Sequence, residues 1–96
     1  MNKYEIMFIV RPELDDKTRE VSVKTLEKAL TDNGANITLN KEMGQKELAY
    51  EINKCKSGYY YLYNIETKDD KATKEFDRLA RIDENIIRHL VLNIEK

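Results

Sequence analysis

The stretch GQKELAYEINKCKSGYYYLYNIE, residues Gly44 to Glu66, reads as two β-strands joined by a turn. Leu48, Tyr50 and Ile52 alternate with Glu47, Ala49 and Glu51, the two-residue period of a strand with one buried face. Lys56-Ser57-Gly58 carries the turn signal, and Tyr59-Tyr60-Tyr61-Leu62-Tyr63-Asn64-Ile65 begins the return strand. That return strand is bulky on both sides. A sheet face that should be wetted by water, yet carries aromatic and aliphatic side chains, points to a partner.

Outward from the hairpin, the remaining elements follow from pattern. A first strand covers Tyr4 to Val10, with Tyr4, Ile6, Phe8 and Val10 on one face and Glu5, Met7 and Ile9 on the other. Arg11-Pro12-Glu13 ends it, because proline has no N–H for the ladder. A helix starts near Asp15 or Asp16, carries the apolar stripe Val23, Leu26 and Leu30, and stops at Asn33-Gly34. A second strand starts around Ala35, with Ile37 and Leu39 on one face. It bends or bulges at Met43-Gly44 before reaching the hairpin. After the third strand, Tyr59 to Thr67, Asp69 or Asp70 opens a second helix that buries Ala72, Phe76, Leu79 and Ala80 and ends near Ile82-Asp83. The last strand runs from Ile86 to Ile94.

The order β-α-β-β-α-β gives an α+β fold of ferredoxin-like, split β-α-β type. Four antiparallel strands carry both helices on one face, with the first and third strands central. Residues 1–96 are expected to form one domain, a size that supports one modest core.

Two helices cover one face of such a sheet and leave the other open. In the third strand, Asn64 and Glu66 mark the open side, so Tyr60 and Leu62 lie there too. The fourth strand is ambiguous by pattern. With Ile87, His89 and Val91 facing the helices, Arg88, Leu90 and Leu92 join the open face. Met7, Ile9, Tyr60, Leu62, Leu90 and Leu92 then make one apolar area, the candidate partner-binding surface, rimmed by Glu5 and Arg88.

Composition narrows the function classes. With 17 basic and 18 acidic residues the net charge is −1, which argues against nucleic-acid binding by a bulk basic field. No apolar run is long enough to span a bilayer, and Met1 to Glu5 lack the basic and apolar regions of a secretory leader. Cys55 is alone in a polar turn, forms no internal disulfide and fits a reducing cytosol. No catalytic constellation is present. His89 is the only histidine and is expected as a half-buried sheet residue, with no metal, cofactor or small-molecule substrate implied. The pairs Asp15-Asp16, Asp69-Asp70 and Asp83-Glu84 sit at helix ends, where capping accounts for them. An RNA-recognition motif would need aromatic rings on the first strand, where Met7 and Ile9 stand instead. Homo-oligomeric association through the open face, as a regulatory or ligand-binding module, is the alternative reading.

Several segments together resemble one family. They are Lys3-Tyr4-Glu5-Ile6-Met7-Phe8-Ile9-Val10 with Pro12 and Leu14-Asp15, then Gly44-x-Lys46-x-Leu48-Ala49-Tyr50-x-Ile52, then Gly58-Tyr59-Tyr60, and Arg81-Ile82-Asp83-Glu84-Asn85-Ile86-Ile87-Arg88-His89. In this order and over nearly the full length, the chain resembles the bacterial small-subunit ribosomal protein six family. The resemblance implies a non-catalytic, ribosome-associated cytoplasmic protein. It also implies binding to the central domain of 16S ribosomal RNA as a heterodimer with small-subunit ribosomal protein eighteen, in support of platform assembly. The chain departs from the family pattern where Gln45 and Glu47 flank a single Lys46 and where Glu51 follows Tyr50. The expected RNA contacts are therefore Lys3, Lys46, Lys54, Lys56 and Arg88, with Arg78 and Arg81 secondary.

Overall fold

Tyr4, Ile6, Phe8 and Val10 turn to one side of the first strand, and both helices are arranged to cover that side. The computed structural model describes residues 2–52 and 54–94. Its elements are β1 (Asn2–Val10), α1 (Asp16–Asp32), β2 (Asn36–Ile52), β3 (Cys55–Thr67), α2 (Lys71–Ile82) and β4 (Ile86–Asn93). All strand pairings are antiparallel and the spatial order is β2-β3-β1-β4. This is the ferredoxin-like arrangement, with β1 and β3 in the middle.

Local chemistry sets the helix ends. The Asp15 carboxylate accepts the Thr18 backbone N–H at 2.9 Å, and that bond holds its pKa below the ordinary value. Gly34 closes α1 with φ +90°, while Gly34 and Ala35 donate to the Thr31 and Leu30 carbonyls. At α2 the two acids divide the work: Asp69 accepts the Lys71 backbone N–H, and Asp70 pairs with the Lys74 ammonium at 3.1 Å.

The core sits between sheet and helices around Phe8. Its ring stacks on Tyr61 with centroids 5.1 Å apart, and Tyr63 and Phe76 lie at 5.8 and 5.9 Å. Leu26 and Leu30 of α1 and Ala72, Phe76 and Ala80 of α2 complete it. The buried Tyr63 hydroxyl donates to Glu27 Oε2 at 3.0 Å. Burial, and then the nearby Glu27 charge, push the Tyr63 pKa up. Below the free tyrosine value of about 10 both folded and unfolded chains hold this proton. Above it the unfolded chain ionises first, so stability falls as pH rises, by at most about 1.4 kcal/mol per pH unit from this group. Urea midpoints measured from pH 9 to 11 are expected to fall more steeply for the wild type than for Tyr63→Phe. Parallel slopes would exclude this origin.

Four expectations are corrected. First, the hairpin does not turn at Lys56-Ser57-Gly58. Ile52 pairs with Cys55 and Lys54 takes φ 65°, so residues 56–58 belong to β3. Gly58 is there for close approach rather than for turning: a Cβ on it would fall inside the contact distance of Ile9 Cγ2. Second, Ile37 and Leu39 do not share a face. The β2–β3 register shifts between them, leaving Ile37 against the core and Leu39 opposite Asn64 on the open side. Third, Ile87 does not face the helices. The β1–β4 pairing shifts at Ile9/Val10, so that Ile86 joins the main core and Ile87 packs with Ile9 and Cys55. Fourth, Cys55 is not in a polar turn but buried in that second cluster. The irregularity expected at Met43-Gly44 is present, with Gly44 at φ +82°.

Candidate interaction surface

Strand register arranges the open face in rows. Leu92, Glu5, Asn64 and Leu39 lie across the sheet in one, Leu90, Met7, Leu62 and Lys41 in the next, and Arg88, Ile9, Tyr60 and Gly44 in the third. His89 and Val91 point to the helix side, as the alternation expected from Arg88 to Leu92 requires. The rows bring Met7, Tyr60, Leu62, Leu90 and Leu92 together. Leu90 and Leu92 are 39% and 46% exposed, an unusual state for adjacent leucines on one strand face.

Ile9 departs from the expected accessible patch, being only 3% exposed. The reason is the far end of β2. Pairing with β3 is interrupted between Glu47 and Ile52, and Leu48 packs on the Ile9, Cys55 and Ile87 cluster. Two residues on, the Tyr50 hydroxyl accepts a hydrogen bond from Arg88 Nη1 at 2.5 Å. Between this segment and the sheet lies a groove of about 200 Å³ bounded by Met7, Ile9, Tyr60 and Leu90. The side chain of Ile52 lies outside the described residues.

The five expected cations do not form one cluster. Lys3 is six residues from Ile9 along β1, about 20 Å at strand rise, and lies 3.9 Å from Glu66. Lys46 sits opposite Gly58 near the third row, and Lys54 and Lys56 are exposed on the hairpin beyond it. Arg88 lies in the third row itself. Sequence reasoning missed Leu39, Lys41, Leu48 and Tyr50 as members of this face. Leu39 and Lys41 reach it only through the shift after Ile37, and Leu48 and Tyr50 only because the hairpin curls.

His89 is half-buried as expected and stitches β4 to α2. Its Nε2 lies 2.8 Å from Asp77 Oδ1, and its ring meets the edge of Phe76. That bond, with a further contribution from Arg81, keeps the Asp77 carboxyl below its usual range. Among the described residues no cluster of three or more His, Cys, Asp or Glu could hold a metal ion. No described helix is long and apolar enough to cross a membrane.

Comparison with known proteins agrees with this geometry. Residues 3–93 match the family model described as Ribosomal protein S6. The chain is 44% identical to the small ribosomal subunit protein bS6 of Exiguobacterium sibiricum over 96 residues, which is the full length of both. It superposes on the crystal structure of the 30S ribosomal protein S6 from Thermotoga maritima with a TM-score of 0.89 at 28% identity, covering 96% of this chain and 86% of that one.

Proposed function

The chain belongs to the ribosomal protein S6 family of the bacterial small subunit, and from this we propose that it binds the central domain of 16S ribosomal RNA jointly with small-subunit ribosomal protein eighteen. Family membership makes it a ribosome-associated cytoplasmic protein. The joint binding and its residues are our reading. The observation that carries it is the sheet face opposite the helices, where Met7, Tyr60, Leu62, Leu90 and Leu92 adjoin Arg88 and Lys41. Aliphatic side chains on an open sheet face suit a protein surface better than stacked bases.

Charge supports a shared task. A chain of net charge −1 releases few counterions from RNA alone, so much of the electrostatic attraction has to come from a basic partner. In this reading Met7, Tyr60, Leu62, Leu90 and Leu92 serve the protein partner, with Ile9 buried behind them, and Lys3, Lys46, Lys54, Lys56 and Arg88 serve the RNA. The role is non-catalytic: the protein holds an RNA junction in its assembled shape.

Linked binding is reciprocal, with couplings that typically span about 5–150-fold. Retention of a 16S central-domain fragment, measured with and without ribosomal protein eighteen, is expected to tighten at least about tenfold when the partner is present. Equal affinity in both arms would sink the proposal. A stable homodimer that ignores the RNA would favour self-association through the same face.

A further inference from the structure

Of the five arginines in the chain, four have a carboxylate beside them: Arg11 with Glu13, Arg19 with Asp16, Arg78 with Glu75 and Arg81 with Asp77. Among the described residues Arg88 instead hydrogen-bonds a phenol hydroxyl, that of Tyr50. The Tyr50 ring is itself 61% exposed, so burial does not fix it where it lies. Its segment has also left the β2–β3 ladder, since pairing lapses between Glu47 and Ile52. Among the described residues, Leu48, packed on Ile9, Cys55 and Ile87, and the Tyr50–Arg88 bond hold the middle of this segment against the sheet. Beneath it runs the groove bounded by Met7, Ile9, Tyr60 and Leu90.

We propose that the Tyr50–Arg88 hydrogen bond is a strap that keeps Leu48–Tyr50 closed over this groove, and that an RNA phosphate taking Arg88 releases it. The proposal rests on the reading of Arg88 and the open face given above, and adds to it how the two binding events are linked. A phosphate offers Arg88 two charged acceptor oxygens in fork geometry, so that both partners carry charge and two parallel bonds replace a single bond to an uncharged hydroxyl acceptor. Phosphate therefore outcompetes the phenol. Once Arg88 has turned to RNA, the segment is retained by Leu48 and by its flanking pairs, Glu47 with Ser57 and Ile52 with Cys55, and its middle can lift so that the apolar groove becomes available to a protein partner. RNA and protein thus promote each other's binding through one side chain.

The experiment has two arms. Cys55 is the chain's only thiol and lies 5% exposed under Leu48, so its reaction rate with N-ethylmaleimide reports opening of the strap in the free protein. Tyr50→Phe removes the hydroxyl and keeps the ring. Labelling is expected to run about 3–10-fold faster in Tyr50→Phe, the range for loss of one partly exposed hydrogen bond. An unchanged rate overturns the strap. The second arm measures affinity for a 16S central-domain fragment in wild type, Tyr50→Phe, Arg88→Ala and the double variant. Tyr50→Phe is expected to bind about 3–10-fold more tightly than wild type, because Arg88 has no bond to give up, and to have no effect in the Arg88→Ala background. Equal affinity of wild type and Tyr50→Phe overturns the competition for Arg88. Absence of RNA binding in every form overturns the functional reading and the coupling with it, while the labelling arm decides the strap independently.

Discussion

Phe8→Ala is expected to remove about 3–5 kcal/mol of folding stability, the cost of emptying a buried aromatic site that cannot fully collapse. Phe8 lies on a central strand, is nearly inaccessible, and touches three rings contributed by β3 and α2. The stacked pair with Tyr61 adds to simple burial, since aromatic pairs of this geometry contribute about 0.5–1.5 kcal/mol beyond area. Collapse is resisted from both sides. Tyr61 is tied by its hydroxyl to Arg19 at 3.1 Å and Tyr63 by its hydroxyl to Glu27, so neither ring can slide into the space. Domains have about 5–15 kcal/mol in total, which makes this variant marginal at ambient temperature. Urea denaturation followed by circular dichroism measures the loss. A cost below about 1.5 kcal/mol, the range of volume-conserving core swaps, would mean the aromatic cluster is not the organising core.

Gly58→Ala comes second, at roughly 1–3 kcal/mol, the usual range for forcing extra volume into a packed site. Gly58 does not have positive φ, so alanine can adopt its backbone. The cost is steric. The new Cβ would crowd Ile9 Cγ2 and lie 3.1 Å from the Val10 carbonyl oxygen, while the unfolded chain becomes slightly stiffer and offsets part of the loss. Truncating Ile9 to alanine removes the methyl in question. The penalty of Gly58→Ala is therefore expected to shrink in an Ile9→Ala background, and a double-mutant cycle by urea denaturation reads that coupling. Strict additivity would show that Gly58 is not selected by its neighbour on β1. Gly44→Ala makes the contrasting control: nothing crowds its Cβ, yet its φ of +82° should cost about 1 kcal/mol for conformational reasons alone.

Where polar and apolar residues alternate, the fold was legible. Lys3 to Val10 and Tyr60 to Glu66 assign their own faces, and the caps at Asp15 and Gly34 lie where residue chemistry predicts. The misread positions share one physical cause. An extra residue in a strand reverses the parity of everything beyond it, and neither Ile37-Thr38-Leu39 nor Ile86-Ile87 advertises which residue is extra. Gly44 did advertise it, because a glycine between strand residues is a common mark of a bulge. The turn was displaced for a related reason: Gly58 looks like a turn residue when its true constraint is the proximity of Ile9, which is distant in sequence. The open face was readable in its central strands, whereas the covering of Ile9 by Leu48 depends on how the hairpin curls in space. Single lysines carry no pattern at all, so nothing in the sequence separates Lys3 from cations about 20 Å away.

The register shifts of β2 also have a protective side. β2 is an outermost strand of 17 residues, and a straight strand of that length would run about 55 Å. The longest dimension of the molecule is 37 Å. The strand must therefore bend, and it does so at Ile37/Leu39, Glu42/Gly44 and Glu47/Ile52. An exposed strand edge is otherwise a template on which a second copy can add by backbone pairing. Here Lys41, Glu42, Lys46, Glu47 and Glu51 line the bent edge with exposed charge of both signs. The outer edge of β2 thus has a contour that no straight strand can follow, which disfavours the edge-to-edge stacking of copies from which fibrils grow.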